Sequence, residues 1–197
     1  VASTISIASK FQIKFFATGG IGGVHLNVEN TNDVSADLYA LSENSNFVIC
    51  SGAKSILDLN KTNELLETLG ITRIGYQTNY MPGFWYEETE NKVDKKFDEI
   101  HEISSFLKLN ENLKNKKSIL IFNKVPLEKA LNKNDVEKWI NNAVIKADKN
   151  NISGKELTPF LIKEINEQSK NETLNANVSL IINNANLAGK IAKSFYS

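Results

Sequence analysis

Four short runs of apolar residues, each closed by polar or glycine residues, interrupt a pattern that is otherwise helical. Phe11 to Ala17 alternates and then becomes wholly apolar, and Phe47 to Cys50, Thr72 to Tyr76 and Ser118 to Phe122 follow it. Runs this short, bounded by turn residues, predict buried strands. Elsewhere apolar positions recur at helical spacing: Val1, Ile5 and Ala8; Ile56, Leu59, Leu65, Leu66 and Leu69 before Gly70; Phe97, Ile100, Ile103, Phe106 and Leu107 within Lys92 to Leu113; and Val136, Trp139, Ile140, Ala143 and Val144. Ser35 is placed to cap a short helix over 36–42, and Asn27 to Asn32 reads as a polar loop. Further helices are expected over 154–168 and from Asn175 to Phe195. Strands alternating with helices predict an α/β layered fold. It forms one domain over residues 1–197, its C-terminal half helical and packed on the sheet.

A chain of 197 residues is long enough for one well-buried core. Its 23 basic and 23 acidic side chains balance, which argues against a bulk electrostatic grip on nucleic acid or an anionic membrane. A small anionic ligand needs only a local pocket. Cys50 is the single cysteine, so no internal disulfide can form; a reducing compartment, the cytoplasm, is expected. No apolar stretch approaches the roughly 18 residues of a membrane span, and no basic-then-apolar leader opens the chain. It begins at Val1 and holds one methionine, Met81, as expected of a processed or incomplete gene product.

The candidate chemistry lies between Thr18 and Lys54. Gly19, Gly20, Gly22 and Gly23 follow the first apolar run, and Ser51-Gly52-Ala53-Lys54 follows the second. Two strands that each end in glycine and polar groups suggest one site at the carboxyl ends of neighbouring strands. The glycine cluster is not a P-loop, since no Gly-Lys-Ser/Thr follows it, and it lacks the third glycine of a dinucleotide fingerprint. A tight structural turn and a phosphate cradle explain it equally well. Lys54, directly after a buried strand, could act as an amine nucleophile. The alternative is a surface lysine opening the next helix, a position the helix dipole disfavours. Asp33 and Asp37 stand four apart and could meet a phosphate through a divalent cation, or serve as caps. His25 has no nearby cysteine or second histidine, which argues against zinc. His101 reads as exposed, and the Phe84-Trp85-Tyr86 cluster as core or interface.

Several longer stretches add a resemblance. FATGGIGGVH, NDVSADL and SGAKSILDLNKTNELLETLG, then GYQT, PGFW, SGKELTPFL and NANVSLIINNANLAGKIA, occur in this order over essentially the whole chain. They resemble the signature segments of the pseudouridine-5′-phosphate glycosidase, or indigoidine synthase A-like, family. The resemblance implies a three-layer α/β/α sandwich with a central mixed sheet, here lacking the family's N-terminal portion, and a homotrimer. It implies reversible cleavage of the C–C glycosidic bond of pseudouridine 5′-phosphate, giving uracil and ribose 5-phosphate, with Mn²⁺ or another divalent cation. By the same resemblance Lys54 forms an imine with the opened sugar and Asp33 binds the metal. Val1, Thr18, Ser35, Ala36 and Asp37 hold the sugar phosphate, and Asn177 lies at the uracil. The family's general-acid glutamate and a further substrate-binding lysine precede the position of Val1. Leu26 and Asn27 stand where relatives have arginine and glycine; an arginine facing the ligand would be a lost bidentate phosphate partner. The alternative reading is a non-catalytic sugar-phosphate-binding chain that needs a separate N-terminal partner.

Overall fold

The computed structural model describes residues 1–197, apart from the side chain of Lys155. Five strands, β1 (Phe15–Ala17), β2 (Phe47–Cys50), β3 (Thr72–Tyr76), β4 (Lys95–Phe97) and β5 (Ile119–Phe122), form one sheet in the order β1-β2-β5-β3-β4. Eight helices accompany them: α1 (Ala2–Lys10), α2 (Val28–Thr31), α3 (Ala36–Glu43), α4 (Leu59–Thr68), α5 (Ile100–Asn112), α6 (Lys133–Lys149), α7 (Leu157–Gln168) and α8 (Glu172–Tyr196). The α/β layering agrees with expectation, but the sheet is parallel throughout rather than mixed. Every connection between strands is a long crossover that returns the chain to the same end of the sheet, which excludes antiparallel neighbours.

Direction of travel decides which face each helix covers. The chain advances one way across the sheet through β1, β2, β3 and β4, so right-handed crossovers hold α3 and α4 on one face. From β4 to β5 it runs back, and α5 falls on the other face. The alternation along β2 and β5 shows both layers. Val48, Cys50, Leu120 and Phe122 pack with Leu38, Leu41 and Leu66, whereas Phe47, Ile49, Ile119 and Ile121 pack with Ile103 and Leu107. All eight residues of these two strands are buried, which is why they read as continuous apolar runs. The single helix α8 serves both layers: Ala176 and Leu180 join the first cluster, and Leu187, Ile191 and Phe195 the second.

β4 corrects the expected helix from Lys92. Its residues Lys95 and Lys96 carry no strand signal, and tertiary pairing makes the strand. Asp94 accepts the Arg73 backbone N–H at 2.7 Å, and the Arg73 guanidinium meets its other oxygen at 2.6 Å. Helix α5 therefore starts only at Ile100. Helix α4 likewise starts at Leu59 rather than Ser55, because the Asp58 carboxylate accepts from Lys61 N–H at 2.9 Å and caps it there.

Arg73 is 5% exposed and also donates to the Asn63 side-chain oxygen at 2.8 Å. Asp94→Asn removes the nearer of two carboxylates on this buried guanidinium, leaving Glu67 at 3.4 Å, so a loss of about 2 kcal/mol is expected in urea unfolding. Arg73→Met should cost less, because the Asp94 side chain it leaves behind is 40% exposed and rehydrates. The reverse ranking would refute this reading of the pair.

Candidate functional site

Past their last strand residues, β1 and β2 run on side by side. Ser51 N–H donates to Gly19 O at 2.9 Å, Ile21 N–H to Gly52 O at 3.0 Å, and Lys54 N–H to Ile21 O at 3.1 Å. This extension seats the glycine loop against the Ser51–Lys54 segment at the carboxyl edge of the sheet. Lys54 is thus fixed by its backbone, with a half-buried side chain. Gly52 makes the turn possible. Its φ is +86°, and a Cβ there would lie 2.2 Å from Pro82 O. Gly52→Ala is expected to cost at least about 2 kcal/mol in thermal unfolding; an unchanged midpoint would show that the turn relaxes freely.

The glycine loop is held from the other side by α3. The Asp37 carboxylate is buried and accepts two backbone N–H groups, from Gly22 at 2.8 Å and Ala2 at 2.7 Å. The Val1 nitrogen lies 3.5 Å from the same carboxylate. Ser35 caps α3 as expected, its Oγ accepting from Asp37 N–H at 3.3 Å. A Cβ on Gly22 would come within 2.1 Å of Ser35 Oγ, so only glycine fits there. Val1, Ser35 and Asp37 therefore meet beside Gly22, whereas Ala36, the next residue of α3, is exposed. Thr18 stands where the loop leaves β1, its hydroxyl 3.5 Å from Gly20 O.

Asp33 and His25 form a neighbouring pair. His25 N–H donates to Asp33 O at 3.0 Å, and the antiparallel bridge between Val24 and Val34 fixes the two residues opposite each other. Their side chains approach to 3.7 Å between His25 Nδ1 and Asp33 Oδ2. The pair borders a cleft of about 700 Å³ that Thr31, Asn32, Ser153 and Thr158 also line. Asn27 adopts φ +60°, a conformation asparagine tolerates nearly as well as glycine does, so the backbone course survives that departure. The region expected to be a loop thus contains the one-turn helix α2. Among the described residues, no group of three or more histidine, cysteine or acidic side chains could cage a metal. One carboxylate beside an imidazole suits instead a divalent cation that keeps most of its own water.

Asn177 is held on α8, one turn before Leu180 and Ile181, which lie against Gly19. Its Oδ1 accepts from Trp85 Nε1 at 2.7 Å. Trp85 in turn neighbours Phe84, against which Gly20 packs so closely that a Cβ would be 2.7 Å away. Phe84, Trp85 and Tyr86 are buried, as the core reading of that cluster requires, and His101 is exposed. Burial pushes the Cys50 thiol up to about 12, leaving it unionised at neutral pH and inert.

Sequence reasoning missed Asn184. Fully buried in α8, it donates from Nδ2 to Thr18 O at 2.9 Å and to Ser51 Oγ at 3.1 Å, and accepts from Asn123 Nδ2 at 3.0 Å. It ties the carboxyl ends of β1, β2 and β5 together. A signal was present: an asparagine on the apolar face between Leu180 and Leu187 must be satisfied inside the protein.

Residues 1–194 match the family model described as indigoidine synthase A like protein. The chain is similar to a pseudouridine-5′-phosphate glycosidase of Petrotoga mobilis, 46% identical over 195 residues, which covers 99% of this chain and 64% of the relative. In structure it is similar to the prealnumycin C-glycosynthase AlnA, solved in complex with ribulose 5-phosphate. The TM-score is 0.93 at 32% identity, over 99% of this chain and 64% of that one. An indigoidine synthase A-like protein from Thermotoga maritima gives a TM-score of 0.87 at 33% identity, over 96% of this chain and 62% of its own. The chain spans just under two thirds of the length of these relatives.

Proposed function

Because the chain belongs to the indigoidine synthase A-like family, we propose that it carries the imine-forming part of a pseudouridine-5′-phosphate glycosidase. The observation that carries this reading is the paired extension of β1 and β2, which seats Lys54 beside a glycine loop closed by Ser35 and Asp37. The name of the Petrotoga relative and the sugar phosphate in the AlnA structure agree with it in substrate class.

A C–C glycosidic bond offers no oxygen leaving group, so the two-carboxylate chemistry of ordinary glycosidases does not serve. The reaction needs an electron donor at C1′, because the bonding pair leaves with uracil C5. Lys54 Nζ bonds to C1′ as the C1′–O4′ bond opens. The amine passes a proton to O4′, and the nitrogen lone pair then forms C=N while the bond from C1′ to uracil C5 breaks, its pair passing to uracil, whose C5 is protonated by a general acid or water. Water adds to the imine and releases ribose 5-phosphate and the free lysine. Ser35, the peptide N–H groups at the start of α3 and Thr18 orient the phosphate, to which a helix N-terminus is suited. Asn177, held by Trp85, is the uracil contact. Asp33 would hold a divalent cation, Mn²⁺ or another, which when bound neutralises phosphate charge.

The substrate is a small molecule, in keeping with the balanced charge. Assembly is read as a homotrimer, supported by Leu174, Val178, Ile181 and Ile182, an apolar stripe on α8 with each residue at least half exposed. Among the described residues no helix is long and apolar enough to cross a membrane, and the free Cys50 supports a reducing compartment. The test is to incubate the protein with uracil, ribose 5-phosphate and Mn²⁺ and look for pseudouridine 5′-phosphate. Binding of ribose 5-phosphate without turnover would instead favour the second reading, a sugar-phosphate-binding portion that acts with a separate partner. That reading rests on the span of just under two thirds of its relatives.

A further inference from the structure

We propose that Phe84 is a positioning residue for Lys54: its ring wedges the glycine loop against the Ser51–Lys54 turn and so fixes where the amine emerges. This rests on the reading of Lys54 as the nucleophile.

Phe84 stands in the left-handed region at φ +67°, where glycine and asparagine are at home and a bulky aromatic residue is not. Such a conformation persists only where its surroundings impose it. Here they do. Gly83 N–H donates to Tyr86 O at 3.1 Å and Trp85 N–H to Gly83 O at 2.9 Å, closing a tight turn. Ser55 Oγ donates to Gly83 O at 2.6 Å, which ties the turn to the residue that follows Lys54. On the other side Trp85 Nε1 donates to Asn177 Oδ1. Glycine or asparagine at position 84 would suit this backbone better, so the ring answers to something else.

What the ring meets is Gly20. A Cβ there would lie 2.7 Å from two Phe84 ring carbons and 3.0 Å from Gly52 O. Gly20 is outside the left-handed region, so its backbone does not demand glycine; the narrow space between ring and carbonyl does. From that contact the path to the lysine is short. Gly52 O accepts from Ile21 N–H at 3.0 Å, and Ile21 O from Lys54 N–H at 3.1 Å. Pro82 O closes on Gly52 from the start of the turn. The turn thus bears on Gly52 and Ser55, either side of Lys54, and on the loop opposite. Phe84 itself is 6% exposed and acts through them.

The experiment follows borohydride trapping of ribose 5-phosphate on Lys54 over a range of sugar concentrations, well below the Tm of each variant. Phe84→Leu keeps the position apolar but withdraws the ring. The maximal trapping rate should fall about ten- to a hundredfold while the half-saturating concentration stays within about threefold, because Ser35 is held by α3. Gly20→Ala should be slowed as strongly. The double variant Gly20→Ala/Phe84→Leu should be at least about fivefold faster than Gly20→Ala, since leucine makes room for the methyl group, whereas unconnected packing losses would add. A Phe84→Leu rate within about twofold of wild type, a higher half-saturating concentration at unchanged rate, or additive losses each overturn the role of Phe84. Ser55→Ala unties the turn from the lysine's neighbour and gives the same test should Phe84→Leu fail to fold. About a tenfold loss of rate is expected there, and an unchanged rate overturns the proposal. A wild-type chain that traps no sugar on Lys54 overturns the reading of the lysine and this one together. Trapping in the wild type that none of these variants slows overturns this one alone.

Discussion

If this chain carries the proposed imine chemistry, Lys54→Ala is expected to abolish release of uracil from pseudouridine 5′-phosphate, with kcat falling by at least about three orders of magnitude. The reason is chemical rather than steric. The amine nitrogen donates the lone pair that forms C=N as the C–C bond breaks, and alanine offers no such donor. The variant should fold, because Lys54 is seated by its backbone bond to Ile21 and its side chain is half-buried. Lys54→Arg should be as inactive, since a guanidinium keeps the charge but forms no imine. Borohydride treatment of the wild-type protein with ribose 5-phosphate supplies the positive counterpart. It should fix the sugar on the peptide that contains Lys54, with a mass increase of one ribose 5-phosphate less water plus two hydrogens. Turnover by Lys54→Ala above about a hundredth of wild type would remove the lysine from the chemistry. Trapping on a different lysine would move the nucleophile there.

How far the sequence carries depends on whether a feature is local. β2 and β3 have the bounds their apolar runs predict, and Ser35 caps α3 where a serine before a helical pattern should. Gly70 closes α4 at φ +65°, again a local requirement. What escaped was set by partners distant in sequence. β4 exists because Asp94 locks to Arg73, 21 residues earlier, and nothing in Lys95-Lys96-Phe97 announces it. Strand direction was taken from the resemblance, which implied a mixed sheet, although a continuous apolar run such as β2 is what burial on both faces of a parallel sheet produces. In the site, Asp33 and Asp37 looked alike as two acids in one polar stretch. The fold separates them: Asp37 is buried on the N–H groups of Gly22 and Ala2, while Asp33 opens to a cleft beside His25. The roles of Lys54 and Asn177 came from a resemblance. Composition and spacing left Lys54 between nucleophile and surface residue, and they gave no hint that Asn177 would meet Trp85.

The residue on which the most geometry depends is one that carries no chemistry. Asn184→Leu should destabilise the protein by about 3–4 kcal/mol, seen as a fall of about 10 °C in Tm and a lower urea midpoint with an unchanged slope. Leucine has nearly the right size, so the loss is not a cavity effect. It arises because the Thr18 carbonyl, the Ser51 hydroxyl and the Asn123 amide all lose a buried partner at once. Asn184→Asp keeps the acceptor for Asn123 but replaces the donating amide with a charge, or with a single proton, in a fully buried position, so it should rescue little. The three partners lie at the carboxyl ends of β1, β2 and β5, immediately before the glycine loop and the Ser51–Lys54 turn. Loosening them should therefore cost activity even under conditions where the variant remains folded. Asn184→Leu within about 1 kcal/mol of wild type would mean that those groups find water or one another, and that the carboxyl edge of the sheet is held by the paired backbone of β1 and β2 alone.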